Sequence, residues 1–179
     1  ESPPSVAVLI GDADPDSIGA GIGMRALLSF LGWGKIDIVY DGEISLEQNK
    51  TVLNILSLRP LSRDEVLKDG EKSFAESYDH FVFVDNSPRS KADKKLNTIF
   101  VVDHHPCETN GNFLSDIRLG VGAACSIIWD YLEVSGFEFK PDDEEAVNVA
   151  TGMFFGIQND TQSFTTDNTS DLDVAAYAH

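Results

Sequence analysis

Carboxylates and imidazoles gather at a few points of this chain. Asp12, Asp14 and Asp16 follow the apolar run Val6-Ala7-Val8-Leu9-Ile10. Asp85 follows Phe81-Val82-Phe83-Val84, and Asp103-His104-His105 follows Ile99-Phe100-Val101-Val102. Like charges this close raise one another's pKa unless a positive group sits between them, and a divalent cation is the natural partner. Carboxylates with an imidazole suit Mn²⁺ or Mg²⁺ better than a softer ion, and no thiolate is placed to favour zinc. Four or five acids exceed the needs of one ion. They point to two ions about 3.5–4 Å apart under a shared carboxylate, the arrangement that activates water for phosphate-ester hydrolysis.

The elements that must position these groups read as alternating strands and helices. Each apolar run is short, β-branched or aromatic, and bounded by Pro, Gly or acids, as buried strands are. A helix is expected from about Ser17 to Leu31, then a strand over Lys35 to Tyr40 and a helix over Leu46 to Leu58. Ser62 with Glu65 has the spacing of a capping box. Strands follow at Asp79–Val84 and Thr98–Val102, then a loop from Cys107 to Gly122 holding a short strand near Phe113–Ile117. Helices are expected over Gly122–Val134 and from Pro141 to about Gly156, the latter with Pro early and acids in its first turn. Arg89 to Lys95 reads as a solvated basic helix face, or else as a patch that steers phosphates. This order predicts an α/β fold: a mostly parallel sheet with helices on both faces. The C-terminal ends of parallel strands share one rim, so Asp14, Asp16, Asp85, Asp103, His104 and His105 should meet there.

A lone acid at a strand end is ordinarily a turn residue or a helix cap. Three strand ends delivering acids or histidines to one edge are hard to explain as capping. Other motifs fail. Asp12-x-Asp14-x-Asp16 opens like an EF-hand loop but has Ser17 at the Gly position and Gly23 at the Glu position. Gly19-Ala20-Gly21-Ile22-Gly23 has the wrong spacing for a dinucleotide turn and lies inside a helix, where its glycines would permit close packing on the sheet. Ser17 and Thr161 have no base arranged to activate them.

The 179 residues suit a single domain, and a 42% hydrophobic share can fill its core. The net charge of −17 disfavours a grip on long duplex DNA, which runs on Lys and Arg. No run reaches membrane-span length. No leader precedes the first strand, and the opening Glu1 reads as a trimmed N-terminus. Cys107 and Cys125 lack metal-type spacing; both are expected reduced, Cys125 packed in a helix, in a cytoplasmic protein.

Four segments taken together resemble the motifs of the DHH phosphoesterase superfamily: Asp14-Pro15-Asp16-Ser17-Ile18-Gly19-Ala20, Val84-Asp85-Asn86, Val102-Asp103-His104-His105-Pro106 and Gly156-Ile157-Gln158-Asn159-Asp160-Thr161-x-x-Phe164. That superfamily includes RecJ-type exonucleases, nanoRNases, cyclic-dinucleotide phosphodiesterases, exopolyphosphatases and family II inorganic pyrophosphatases. The resemblance implies a hydrolase with two Mn²⁺ (or Mg²⁺) ions and a water activated between them. Asp14 and Asp85 would hold one ion; Asp16, Asp85, His104 and Asp160 would hold the other. His105 would face the substrate phosphate, and Asp103 would orient the histidines. The implied substrates are short oligonucleotides, nucleotide phosphates or polyphosphate, with neither long duplex nor membrane as partner and a homo-oligomer compatible. Residues 1–165 would form the catalytic domain, and 166–179 would start a linker helix towards a second, substrate-binding domain. One position departs: Ile10 stands where the superfamily carries a metal-binding His. This weakens the first ion site and keeps a second reading open, a degenerate domain that binds a nucleotide or partner without catalysis.

Overall fold

The computed structural model describes residues 2–44, 46–67, 73–107 and 110–178. Its elements, in chain order, are β1 (Val6–Ile10), α1 (Pro15–Phe30), β2 (Ile36–Tyr40), α2 (Glu47–Ile55), β3 (Leu61–Ser62) and α3 (Arg63–Leu67). Then come β4 (His80–Val84), β5 (Thr98–Asp103), β6 (Leu114–Ile117), α4 (Ala124–Ser135), α5 (Glu144–Asp160) and α6 (Asp171–Ala178). The strands form one sheet in the order β3-β2-β1-β4-β5-β6, and every neighbouring pair among the described residues is parallel.

Handedness explains which face each connection covers. Parallel crossovers are right-handed, so their face depends on the direction of travel across the sheet. From β1 out to β3 the chain places α1 and α2 on one face. From β3 back to β6 it places α3, two short 3-10 turns and loops on the other. The core divides accordingly. Val6, Val8, Ile10, Val82, Val84 and Val102 point towards α1, α2, α4 and α5. Ala7, Leu9, Phe81, Phe83 and Val101 point the other way, under Val66, Phe74, Leu96 and Phe113. Both faces therefore carry helix, but the long helices share one. Strands buried on both sides need continuous apolar runs, which these sequences supply.

Direction reverses between β1 and β4. The gap beyond their C-terminal ends is the usual ligand crevice of such a sheet. Asp14 and Asp16 enter it from the start of α1, and Asp85 from the end of β4.

Several local readings differ from the structure. Arg89–Lys95 is solvated as expected but is no helix: it is a turn ending in a 3-10 segment over Asp93–Lys95, with Asp93 buried. Its cause is Asp93, whose carboxylate accepts from the Ser90 N–H at 3.0 Å and from Arg63 at 2.8 Å, tying the turn down. Pro141 lies before α5, which Asp143 caps by accepting the N–H groups of Glu145 and Ala146. α5 runs on through Gly156 to Asp160. β3 was invisible because two residues carry no period, but the Ser62–Glu65 capping box beside it is present. Of the Cys107–Gly122 stretch, residues 108 and 109 lie outside the described residues. Within residues 166–179 lies α6, which packs on α4 and α5. Both cysteines are free thiols, Cys125 buried in α4. Among the described residues no helix is long and apolar enough to cross a membrane.

Candidate metal centre

Asp16 is the second residue of α1 and is 0% exposed. Its carboxylate accepts the N–H groups of Ala124 at 2.7 Å and Cys125 at 3.0 Å, the first two residues of α4. The N-cap of α4 is Ala123, which has no side chain to offer, so Asp16 caps that helix from across the fold. Burial raises the Asp16 carboxyl well above its ordinary range; Asp85 and Asp160 push it further, against His104 and the Cys125 N–H.

His104 lies at the centre. Its Nδ1 donates to the Val121 carbonyl at 3.1 Å, which turns Nε2 towards the acids, the nitrogen that offers a lone pair once the ring gives up its second proton. Nε2 stands 3.4 Å from Asp85 Oδ1, 3.4 Å from Asp160 Oδ2 and 3.6 Å from Asp16 Oδ2. Burial lowers the pKa of His104, but Asp85 and Asp16 outweigh it and bring it up to about 9.

Asp85 has a left-handed backbone, φ 50°, which aspartate tolerates better than most residues. Burial alone would raise its carboxyl; the two imidazoles beside it hold it below its ordinary value. Asp103 is fully buried, and its Oδ1 accepts from the His105 N–H at 2.9 Å and from His105 Nδ1 at 3.0 Å. The His105 side chain is 56% exposed, facing outward from this anchor. Asp160 ends α5, and burial raises its carboxyl too. Asp14 caps α1 by accepting the Ser17 N–H at 2.9 Å. Burial, then Asp85, raises its carboxyl.

Ligand atoms converge in two groups, Asp85-His104-His105 and Asp16-His104-Asp160, each within 4.8 Å. The rim expected from the sequence is therefore assembled. Asp14 feels the charges of Asp85 and Asp160 but belongs to neither group, and Asp12 is exposed at the turn. The donor set fits a hard divalent ion. Asp85 Oδ1 and His104 Nε2 are buried without a hydrogen-bond partner, which native interiors rarely tolerate. Around an octahedral ion with ligands near 2.1 Å, neighbouring donors lie about 3 Å apart, not far below the spacing seen around His104 Nε2.

Sequence reasoning missed what holds this centre. The segment Val121–Ser126 orients His104 and caps with Asp16, and no local pattern marks it. Nor is the turn after Asp160 legible: Gln162, Ser163 and Phe164 have φ of 47°, 58° and 65° without a glycine, a strained run held by Thr161 Oγ1 accepting from the Phe164 N–H at 3.1 Å.

A pH effect on stability follows. In EDTA, folded Asp16, His104 and His105 hold protons more tightly than the unfolded chain does, as do Asp14 and Asp160. Their contribution is complete below the unfolded values, about 4 for carboxyls and 6.5 for imidazoles, and is lost as pH rises through the folded ones. The melting temperature in EDTA should therefore fall between about pH 6 and 9. With Mn²⁺ the stabilisation by the ion should grow over the same range, because ligands bind deprotonated. Paired melting scans check both slopes.

The profile of the DHH family, N-terminal domain, matches residues 6–157. An uncharacterised protein of Methanocaldococcus jannaschii, MJ1633, is 32% identical over 168 residues, 93% of this chain and 32% of that protein. The A-adding tRNA nucleotidyltransferase of Aquifex aeolicus is 28% identical over 177 residues, 98% of this chain and 19% of that enzyme. This chain thus spans a third or less of either relative. Two solved structures share the fold. A candidate family II inorganic pyrophosphatase of Methanococcus jannaschii superposes with a TM-score of 0.62 at 22% identity, over 96% of this chain and 53% of that one. An exopolyphosphatase-related protein of Bacteroides fragilis gives 0.72 at 14%, over 99% and 53%. With the profile spanning most of the chain and the Asp-His-His signature at the end of β5, this chain belongs to the DHH family, as an N-terminal domain of that family.

Proposed function

We propose that this domain is a metal-dependent phosphoesterase that hydrolyses esters or anhydrides of small phosphorylated substrates. The observation that carries the reading is the pair of buried ligand atoms that make no hydrogen bond, Asp85 Oδ1 and His104 Nε2, 3.4 Å apart and converging with Asp16 and Asp160. Asp16, Asp85, His104 and Asp160 would hold one ion, with Asp14 and Asp85 towards a second. Mn²⁺ fits this donor set best, and bound ions supply a water of lowered pKa and charge to offset the phosphate.

The chain's own residues do the rest. Asp103 fixes His105 through Nδ1, and Asp85 raises the pKa of that imidazole, which favours its protonated form. In that form His105 would present an N–H and a positive charge to a phosphate oxygen where negative charge builds up. The Val121 carbonyl holds His104 with Nε2 inward. The net charge of −17 leaves little to hold a long polyanion, so short oligonucleotides, nucleotide phosphates and polyphosphate are the substrates proposed. The names of the solved relatives put pyrophosphate and polyphosphate first among those to try.

A second reading rests on Ile10. It is 1% exposed, packed among core residues, and offers no ligand. A domain with one weakened ion site would bind a nucleotide without turning it over. Phosphate release from pyrophosphate, polyphosphate and a dinucleotide, measured with Mn²⁺ and with EDTA beside calorimetry, separates the readings. Turnover that needs Mn²⁺ supports the enzyme. Nucleotide binding with at most one ion and no turnover selects the second reading. Absence of any Mn²⁺ binding overturns both.

A further inference from the structure

The loop and first turn of α4, Val121 to Ser126, support the centre from two sides. The Val121 carbonyl sets His104, and the Ala124 and Cys125 N–H groups set Asp16. Two further polar groups of the same segment are the Gly122 N–H and the Ser126 hydroxyl. Both donate to one carboxylate. Gly122 N lies 2.8 Å from Asp173 Oδ2, and Ser126 Oγ lies 2.6 Å from Asp173 Oδ1. Asp173 sits in α6, beyond the family-matched residues, and is 0% exposed. It also accepts the Ser170 N–H and hydroxyl, each at 2.7 Å, so three donors meet Oδ2 and one meets Oδ1 without any cation. Gly122 is shaped to this contact: a Cβ there would come within 2.9 Å of Asp173 Oδ2 and of Thr161 Cγ2.

A buried carboxylate is costly unless fully hydrogen-bonded, and here four donors surround it. Two of them belong to the segment that aims both a histidine and an aspartate at the candidate ion. We infer that Asp173 is a positioning residue of the metal centre: α6 clamps Val121–Ser126 through this carboxylate and so sets the aim of His104 and Asp16. The effect on ion affinity rests on the function proposed above; the effect on the segment does not. Outer partners of metal ligands characteristically change affinity 10- to 100-fold when lost.

Asp173→Asn keeps the shape but removes the charge: an NH₂ on the Oδ2 side meets the Gly122 and Ser170 N–H groups head-on, and on the Oδ1 side it forces the Ser126 hydroxyl to accept instead of donate, so the charge-assisted bonds to the segment are lost either way. Calorimetry with Mn²⁺ should show about tenfold weaker binding. Hydrogen exchange in EDTA should show the Ala124 and Cys125 amides exchanging about tenfold faster, with Leu132 further along α4 unchanged. Should Asp173→Asn fail to fold, Ser126→Ala removes a single bond and should weaken Mn²⁺ about threefold. Mn²⁺ affinity within twofold of the parent, whatever happens to melting, would make Asp173 a merely structural residue and overturn the proposal. If the parent itself binds no Mn²⁺, the proposed function falls and exchange alone decides. Faster Ala124 and Cys125 amides then uphold the clamp, and unchanged ones overturn it.

Discussion

Asp85→Asn is expected to cut Mn²⁺-dependent turnover by about a thousandfold or more, beyond the 10–100-fold typical of residues that only support ligands. Asp85 is the acid that lies against both imidazoles, 3.4 Å from His104 and 3.5 Å from His105. Its loss would remove a candidate ion ligand and also a charge that raises the His105 pKa. Asparagine is the informative replacement because it tolerates the left-handed backbone at φ 50° and has nearly the same shape. Loss of function therefore cannot be blamed on the turn.

Around and above pH 9, where His104 gives up the proton that favours an ionised Asp85, the same substitution should leave the metal-free fold intact or improve it. Asp85 raises the carboxyls of Asp14, Asp16 and Asp160. At pH 9 in EDTA these carboxylates repel one another, and neutralising one should hold or raise the melting temperature. Sites built to receive a cation are strained without it, so activity and stability pull apart here. A melt in EDTA beside a phosphate-release assay in Mn²⁺ tests both halves. Turnover within tenfold of the parent would remove Asp85 from the centre, and a large fall in melting would make its role structural.

What the sequence revealed and what it hid divide along a physical line. Asp85, Asp103, His104 and His105 were legible because each ends a buried strand, and the parallel sheet then does the gathering. Asp16 was legible as a residue but not in its setting. Its bonds to Ala124 and Cys125 span more than a hundred positions, and no local pattern encodes a cap supplied from another helix. Asp160 was found only through the motif it resembles. Read by helical period alone, α5 ends at Gly156, although its hydrogen bonding continues one turn further. Asp173 belongs to no motif read from the sequence. Its burial comes from tertiary packing against α4, which overrides what composition suggests.

The helical glycines show the same limit, and they carry the largest expected effect on stability. Packing on the sheet was expected of them. Gly21 does meet Ile10 and Ile38, but Gly19 faces α5 instead: a Cβ built there lies 2.4 Å from the Gly152 carbonyl oxygen and 2.7 Å from Cys125 Sγ. The first of these is backbone, which cannot swing aside. In an open helix Gly→Ala gains about 1 kcal/mol. Here the clash should win, because overpacking costs about 1–3 kcal/mol even where side chains yield. Gly19→Ala is expected to lose about 2 kcal/mol net, the upper end of that cost less the gain, lowering the melting temperature by roughly 4–8 °C for a chain of this size. Gly120→Ala, where nothing lies within 4 Å, should leave it unchanged or slightly higher. The site should feel the change as well, since α1 carries Asp16 and α5 carries Asp160. Forcing these helices apart at Gly19 should separate two ligands of the same ion, so Mn²⁺ affinity ought to fall together with melting. If Gly19→Ala melts like the parent, α1 and α5 do not approach this closely, and the geometry around His104 would have to be redrawn.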